Sequence, residues 1–147
     1  MLGSELVGKE YEPFTFEVEK GRIRMFAHAI GETNPIYYDE AAARDAGYRS
    51  LPAPPTFPFT ITMESRQPFL PIEELGVDIT RSMHGEQSFT YHSDICAGDV
   101  ITGRQKIVDI FEKKGGALLF IIVDTRLDNQ DGRHVADLRM SIVVRNG

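Results

Sequence analysis

The chain has 147 residues, of which 41% are hydrophobic and 26% charged, and its formal net charge at pH 7 is -6. We expect a single domain over residues 1–147, and the acidic balance with no basic stripe argues against a nucleic-acid partner. No segment approaches membrane-spanning length, and the lone Cys96 leaves no internal disulfide, so the sequence predicts a cytoplasmic protein without membrane contact.

The first third of the chain predicts one strand and two helices. Residues 14–18 alternate between apolar and polar side chains, which is typical of a half-buried strand. A helix then follows from apolar residues at helical spacing, and Gly31 can end it. The residues of this apolar stripe are Ile23, Phe26, Ala27 and Ile30. Asp39 is suited to cap a short alanine-rich helix that closes at Gly47.

Between these helices, residues 31–39 (GETNPIYYD) have the composition of a polar loop. The proline after Asn34 disfavours the helical conformation there, and Asn-Pro is by itself a common turn-forming pair. From composition alone, one interpretation is that Asn34 has a purely structural role in the turn. Tyr37 and Tyr38 would then be aromatic residues that pack in the core. Glu32 is either a functional carboxylate or a solvated charge near the helix end.

Residues 53–63 (APPTFPFTITM) contain no charged side chain and predict a helix buried on most sides. Pro54 and Pro55 can occupy its first turn, where their missing N–H groups would have no partner in any case. Pro58 is early enough in the helix to be tolerated. A helix buried on most sides needs other elements wrapped around it.

The second half of the chain predicts strands. A surface connection, partly helical around Glu73 and Glu74, is expected first, over residues 66–78. The predicted strands are residues 88–93, 100–111, 117–123 and 135–144, with turns at 98–99, 113–116 and 131–132 and a bulge at Gly85. The run ALLFIIV at 117–123 is suited to a central strand buried on both faces. The predicted class is therefore α+β, with a curved antiparallel sheet folded around one central helix.

Two blocks of the sequence carry a family resemblance. GETNPIYYDEAA followed by LPAPPTF, and HGEQSFTYHSDICAGDVI further on, resemble the MaoC-like hydratases and dehydratases. The chain is most similar to their N-terminal-type branch, the FAS1-like dehydratase domains. That branch includes the non-catalytic subunit of the mycobacterial hydroxyacyl dehydratases. The resemblance covers the chain from Val7 to Arg145 and implies a single hot-dog domain.

The resemblance also implies catalytic positions in the polar loop. The catalytic branch reads G-D-x-N-P-x-H there, with the aspartate and histidine as an acid/base pair acting on an acyl thioester. The corresponding residues are Glu32, which keeps a carboxylate, and Tyr37, whose ordinary pKa of about 10 makes it a poor base at pH 7. Asn34 matches the family residue. The candidate catalytic residues are thus Glu32, Asn34 and Tyr37.

A second implied position is the start of the central helix, where the family takes an N–H for the thioester oxygen as charge develops. Its A-H-G step reads Ala53-Pro54-Pro55 here, so Pro55 replaces the glycine and offers no N–H. Thr56 becomes the first available donor. The candidate substrate-binding residues are Pro55, Thr56 and Phe57. With three weakened parts, the chain alone is expected to be a poor hydratase.

The expected function is therefore a subunit of an (R)-specific enoyl-thioester hydratase or 3-hydroxyacyl-thioester dehydratase that shapes the acyl tunnel. Its expected partners are an acyl thioester of coenzyme A or acyl carrier protein and a second hot-dog subunit, identical or different. No cofactor is expected. A hot-dog thioesterase using Glu64 or Glu32, and a non-enzymatic acyl-thioester binding module, remain alternatives. Glu64 is otherwise an exposed charge at the helix end.

The histidines carry no recognisable pattern. His84, His92 and His134 lack the spacing of metal ligands, so the sequence predicts no metal site. His92 is expected to point away from the neighbouring Tyr91 on its strand, and His28 lies on the polar side of the first predicted helix.

Overall fold

The computed structural model describes residues 2–146 of the protein. The α-helices in this part of the chain are α1 (Lys20–Ala29), α2 (Glu40–Asp45), α3 (Phe57–Glu64) and α4 (Leu70–Glu74). The strands are β1 (Phe14–Glu17), β2 (Ser82–Tyr91), β3 (Val100–Lys113), β4 (Leu118–Asp128) and β5 (His134–Arg145). None of the helices within residues 2–146 has the length and apolar character required to cross a membrane.

The strands form one antiparallel sheet in the order β1-β3-β4-β5-β2, so that β1 and β2 are its edges. The predicted bulge at Gly85 is confirmed, because the β2–β5 register shifts between His84 and Glu86. The curved sheet and its helices confirm the predicted α+β class.

Burial on the two faces of β4 corrects one expectation. Its inward side chains, such as Leu119, Ile121 and Val123, are almost fully buried. Phe120 and Ile122, on the opposite face, are only half-buried. The prediction that this central strand is buried on both faces is therefore wrong for the residues that the structure describes, because no layer covers its outer face.

α3 is the helix around which the sheet curves. Phe57 and Ile61 have no exposed surface, and the Phe57 ring packs edge-on against Phe16 and Phe26. Burial of large apolar side chains of this kind contributes roughly 1.5–3 kcal/mol each. The predicted buried central helix is confirmed, and it owes its position to packing.

The start of α3 differs from the prediction. Pro54 and Pro55 precede the helix, and Pro58 is the proline that occupies its first turn. The Phe57 N–H donates to the Pro54 carbonyl at 2.9 Å, which forms a turn before the helix begins. Thr56 is the residue that flanks the helix start. The consequence is a short, non-helical approach to α3.

Two further expectations need correction. The segment 66–78 contains the predicted helical turn as α4, but it is not only a surface connection, since Pro71 and Ile72 are buried against the second half of the sheet. Ile30 belongs to the predicted apolar stripe but is 51% exposed, because α1 ends at Ala29.

Candidate active site

A cavity of about 400 Å³ opens where the loop after α1, the approach to α3 and the end of β2 meet. We refer to it as the polar cleft. Its lining residues are Tyr37, Tyr48, Pro52, Ala53, Pro55, Tyr91, His92, Ser93, Asp94 and Ile95. Two of the residues predicted from the sequence, Tyr37 and Pro55, thus meet in one cavity although they are distant in the chain.

Glu32 and Asn34 organise the loop that carries Tyr37. One carboxylate oxygen of Glu32, Oε1, accepts the N–H groups of Thr33 and Asn34 at 2.9 and 3.0 Å. The Asn34 side chain accepts the N–H of Ile36 at 3.2 Å and caps a 3-10 helical turn over Pro35–Tyr37. Both side chains therefore hold the loop in shape, and neither lines the polar cleft.

Tyr37 is half-buried, and its ring packs against the core. Burial raises the pKa of its phenol, and the negative charge of Glu32 raises it further, followed by the neighbouring Tyr48. The hydroxyl is consequently protonated at neutral pH. In the polar cleft it can donate a hydrogen bond, but it cannot act as a base.

The approach to α3 leaves one backbone donor available. The Phe57 N–H is bonded to Pro54, the Phe59 N–H is bonded to Thr56, and Pro58 has no N–H. Among the described residues, no acceptor is bonded to the Thr56 N–H. Thr56 directly follows Pro55, which lines the polar cleft. The donor expected from the sequence is therefore next in the chain to a residue of the cleft, although Thr56 itself is not among the lining residues.

Phe57, the third candidate substrate-binding residue, does not lie at the polar cleft. Its side chain is fully buried in the core and is not among the residues that line the polar cleft. Phe57 anchors the helix start from within the core, and the geometry gives no support to a direct side-chain contact with substrate.

Several polar residues of the cleft were not predicted from the sequence, among them Tyr48, Tyr91, Ser93 and Asp94. Tyr91 could have been found from the sequence, because it alternates with Phe89 on one face of a predicted strand. In the structure the two rings stack with centroids 6.0 Å apart. Its hydroxyl donates a hydrogen bond to the Pro55 carbonyl and ties the end of β2 to the approach to α3. Tyr48 and Asp94 had no such local signal, because only the folded chain brings them to the cleft.

A second cavity of about 180 Å³ lies beside α3, next to the beginning of β2. We refer to it as the hydrophobic cavity. Its lining is almost entirely apolar and consists of Phe59, Met63, Pro68, Phe69, Ile72, Ile79, Ser82, Met83, His84, Met140 and Ile142. The polar cleft is at the Pro55 end of α3 and reaches the end of β2. The two cavities thus flank α3 along the same edge strand.

Glu64, the carboxylate considered for hydrolysis, lies at the opposite end of α3 from Thr56. It is exposed and forms an ion pair with Arg22. Eight residues of α-helix separate the two ends by about 12 Å. The expected exposed helix-end charge is what the structure contains, and the thioesterase alternative gains no support from it.

Three residues near the polar cleft could hold a metal ion: His92, His134 and Asp137. The centroids of the His92 and His134 imidazole rings lie 4.2 Å apart. His92 directly follows β2, and His134 is the first residue of β5. Sequence spacing gave no indication of this cluster, because the two histidines are brought together by strand pairing.

The comparisons with known proteins agree with this architecture. The family described as "FAS1-like, dehydratase domain region" matches residues 5–138. A UPF0336 protein from Thermobifida fusca (strain YX) is 38% identical over 145 residues, spanning 98% of this chain and 94% of the relative. A chain of the HadBC (3R-hydroxyacyl-ACP dehydratase) complex from Mycobacterium tuberculosis aligns with a TM-score of 0.82 at 26% identity, covering 97% of this chain and 99% of that chain.

A chain of the ChsH1-ChsH2 complex, also from Mycobacterium tuberculosis, aligns with a TM-score of 0.76 at 26% identity, covering 93% of this chain and 89% of that chain. The family match includes both sequence blocks and most of the described elements. The chain therefore belongs to the FAS1-like dehydratase domain family and has the hot-dog fold.

Proposed function

We propose that the protein is a subunit of an (R)-specific enoyl-thioester hydratase or 3-hydroxyacyl-thioester dehydratase, and that it works with a second hot-dog subunit. The observation that carries the proposal is the meeting of Tyr37 and Pro55 in one cleft, with the Thr56 N–H, which has no backbone acceptor among the described residues, next to Pro55 in the chain. This cleft belongs to a chain of a dehydratase family. A thioester oxygen requires hydrogen-bond donors when charge develops on it.

The chemistry of the cleft supports a binding and orienting role for this chain. Tyr37 remains protonated, and Oε1 of Glu32 is bonded to two backbone N–H groups of its own loop. Removing a proton next to the thioester carbonyl needs a base close to the point of reaction. The base is therefore assigned to the partner, and the Tyr37 hydroxyl and the Thr56 N–H orient the substrate.

The hydrophobic cavity is suited to the acyl chain. Its volume of about 180 Å³ corresponds to about six water-sized groups. A substrate whose thioester lies at the polar cleft would extend along α3 toward this cavity. Each methylene that the cavity takes up contributes about 0.8 kcal/mol, or roughly a fourfold gain in affinity.

The partner would join at the edge strand β2. β2 is a ten-residue edge strand that pairs with β5 on one side only, and an unpaired edge is a template for another strand. The HadBC and ChsH1-ChsH2 neighbours are both complexes. The two cavities lie along this edge, so a partner joined there would also complete their walls.

The decisive experiment measures hydration of a crotonyl thioester by the chain alone and after addition of a cognate hot-dog subunit with an intact Asp/His loop. We expect little activity from the chain alone and a large increase with the partner. Robust activity of the chain alone that Glu32→Gln abolishes would contradict the proposal and make Glu32 the working acid/base. Saturable thioester binding without turnover in either sample would favour the binding-module alternative.

The acyl-chain assignment is tested separately by measuring the affinity of the complex for saturated acyl thioesters of increasing length. We expect affinity to rise with each methylene until the hydrophobic cavity is filled. An affinity that does not depend on chain length would contradict this assignment and leave the assignment of the polar cleft unaffected.

A further inference from the structure

A histidine pair and one aspartate form a compact cluster where the end of β2 meets the beginning of β5. The His92 N–H donates to the Val135 carbonyl at 2.9 Å, which holds the two segments side by side. The β4–β5 register shifts at the same place, so that Leu127 pairs with Ala136 but Asp128 pairs with His134. Val135 is thus the extra residue of a bulge.

The bulge explains why His134 and Asp137 can meet. Residues three apart on a regular strand point to opposite faces, whereas one extra residue restores the same face. His134 Nε2 accordingly lies 2.8 Å from Asp137 Oδ1. From the neighbouring segment, His92 Nε2 lies 2.7 Å from Asp137 Oδ2. Both imidazoles direct the same ring nitrogen at one carboxylate.

We propose that His92, His134 and Asp137 form a binding site for a divalent transition-metal ion of the Zn²⁺ type. Their ligand atoms all lie within 4.8 Å of one another. A tetrahedral zinc site with bonds of about 2.0–2.2 Å holds its ligand atoms about 3.4 Å apart. Side-chain rotations that move the ligand atoms by about 1 Å are therefore enough to arrange the three hydrogen-bonded side chains as ligands around an ion.

The composition of the cluster selects the class of ion. Two imidazole nitrogens and one carboxylate oxygen suit Zn²⁺, Co²⁺, Ni²⁺ or Cu²⁺, whereas Ca²⁺ and Mg²⁺ prefer oxygen ligands alone. The three side chains are 39%, 28% and 43% exposed. An ion can therefore enter from solvent, and water can complete its coordination.

The neighbouring arginine side chains are paired with other carboxylates, so the Asp137 carboxylate remains available to bind an ion. Arg126 is paired with Asp128 at 3.0 Å, and Arg139 is paired with Asp124 at 2.6 Å. The only side-chain hydrogen bonds described for Asp137 come from the two histidines. Both carboxylate oxygens of Asp137 therefore face an imidazole nitrogen, and no arginine or lysine among the described residues is paired with them.

The test titrates the metal-free chain, without any polyhistidine tag, with Co²⁺ followed by visible absorption and with Zn²⁺ in competition. We expect one ion per chain. His134→Gln and Asp137→Asn should each weaken binding at least tenfold, since the loss of partners beyond the ligands already costs about 10–100-fold. His28→Gln, which removes an exposed histidine on α1, is the matched control and should bind as the wild type does.

A second measurement needs no variant. In the wild-type chain, addition of Zn²⁺ should shift or broaden the NMR signals of the His92 and His134 rings and leave those of His28 and His84 unchanged. The absence of stoichiometric binding, equal affinity of His134→Gln and wild type, or equal changes at all four histidines would each overturn the proposal.

Discussion

Tyr37 stands where the family resemblance implies a histidine, and the surroundings of its hydroxyl decide what it can do. Burial and the charge of Glu32 raise its pKa. At neutral pH the Tyr37 hydroxyl therefore cannot abstract a proton, but it can donate a hydrogen bond. The Glu32 carboxylate, one methylene longer than aspartate, bends back onto the N–H groups of Thr33 and Asn34. In the proposed function, this loop binds and orients the substrate, and the base is supplied by the partner.

Tyr37→Phe keeps the packed ring and removes only the hydroxyl. In the complex with a catalytic partner, we expect KM to rise about fivefold, as for the loss of one neutral hydrogen bond of about 1 kcal/mol, with kcat reduced by less than about tenfold. Steady-state kinetics of enoyl-thioester hydration measure both values. Tyr11→Phe, outside the polar cleft, is the control. A fall in kcat of about 10²–10⁴-fold would instead identify Tyr37 as an acid/base.

Asp99 shows how one buried carboxylate joins three loops. Its side chain is fully buried and accepts two hydrogen bonds from Arg49, at 2.6 and 2.5 Å. It also accepts the Cys96 N–H at 2.9 Å and the Gln130 amide at 3.0 Å. Burial alone would raise the pKa of Asp99, but these hydrogen bonds outweigh it and lower the pKa.

The lowered pKa predicts a specific pH dependence. Since the folded chain holds Asp99 ionised below its unfolded pKa of about 3.9, its contribution is complete above that value and is lost as the pH falls through the folded pKa. Asp99→Asn should lower the free energy of unfolding by about 2–3 kcal/mol at pH 7. The difference from wild type should shrink below about pH 4.

Urea denaturation at a series of pH values measures this difference. The control is Asp124→Asn, which removes a partly exposed pair with Arg139 and should cost no more than about 1 kcal/mol. A difference between Asp99→Asn and wild type that is the same at pH 3 and pH 7 would contradict the role assigned to Asp99.

At the level of the elements, the pairing of β1 with β3 depends on one glycine. Phe14 pairs with Gly103, and a Cβ atom at Gly103 would lie only 2.1–2.7 Å from atoms of the Phe14 ring. The ring therefore covers the space that a side chain would occupy. This contact holds the short edge strand that leads into α1 and, through it, the position of the polar loop.

Gly103→Ala should force the Phe14 ring out of its place and lower the free energy of unfolding by about 1–3 kcal/mol, as in other overpacked sites. Phe14→Ala removes the ring, so in that background the added methyl group should cost much less. A double-mutant cycle by chemical denaturation measures this coupling. Additive effects of the two substitutions would contradict the proposed contact.

At the level of the whole molecule, β2 is the open edge on which the proposed assembly depends. It carries the Gly85 bulge at one end, and Tyr91 at the other end binds the Pro55 carbonyl. The same strand therefore presents an unpaired edge and contributes residues to both cavities. In the proposed assembly, partner binding and the shape of the site would be coupled through this one strand.

Ser88→Lys combined with Thr90→Lys adds two charges to exposed positions of β2. We expect the dissociation constant of the complex with the partner to rise at least about tenfold, because charges on an edge strand oppose edge-to-edge pairing. Thr15→Lys, on the opposite edge strand β1, is the control and should leave it unchanged. Analytical ultracentrifugation measures both. Equal effects at the two edges would show that β2 is not the contact.

Local patterns predicted those elements whose identity depends on neighbouring residues. Asp39 caps α2, with Oδ1 2.8 Å from the Ala41 N–H, and the bulge at Gly85 was visible as a glycine in a strand pattern. The predicted start of α3 was wrong because the preference of proline for the first turn of a helix applies equally to Pro54, Pro55 and Pro58. It does not determine which of them the turn contains. The Phe57–Pro54 hydrogen bond decided that.

The α+β class, the polar loop and the uncharged central helix could be inferred from the order of the amino acids alone, because alternation, capping and helical spacing act over a few residues. The hot-dog fold was an expectation from the family resemblance of two sequence blocks. The sharing of one cleft by Tyr37, Pro55 and Tyr91 depends on the folded chain, as does the meeting of His92 with His134. These residues are brought together by strand register, a bulge and the packing of α3. Such long-range contacts follow from burying one common core and leave no local pattern in the chain.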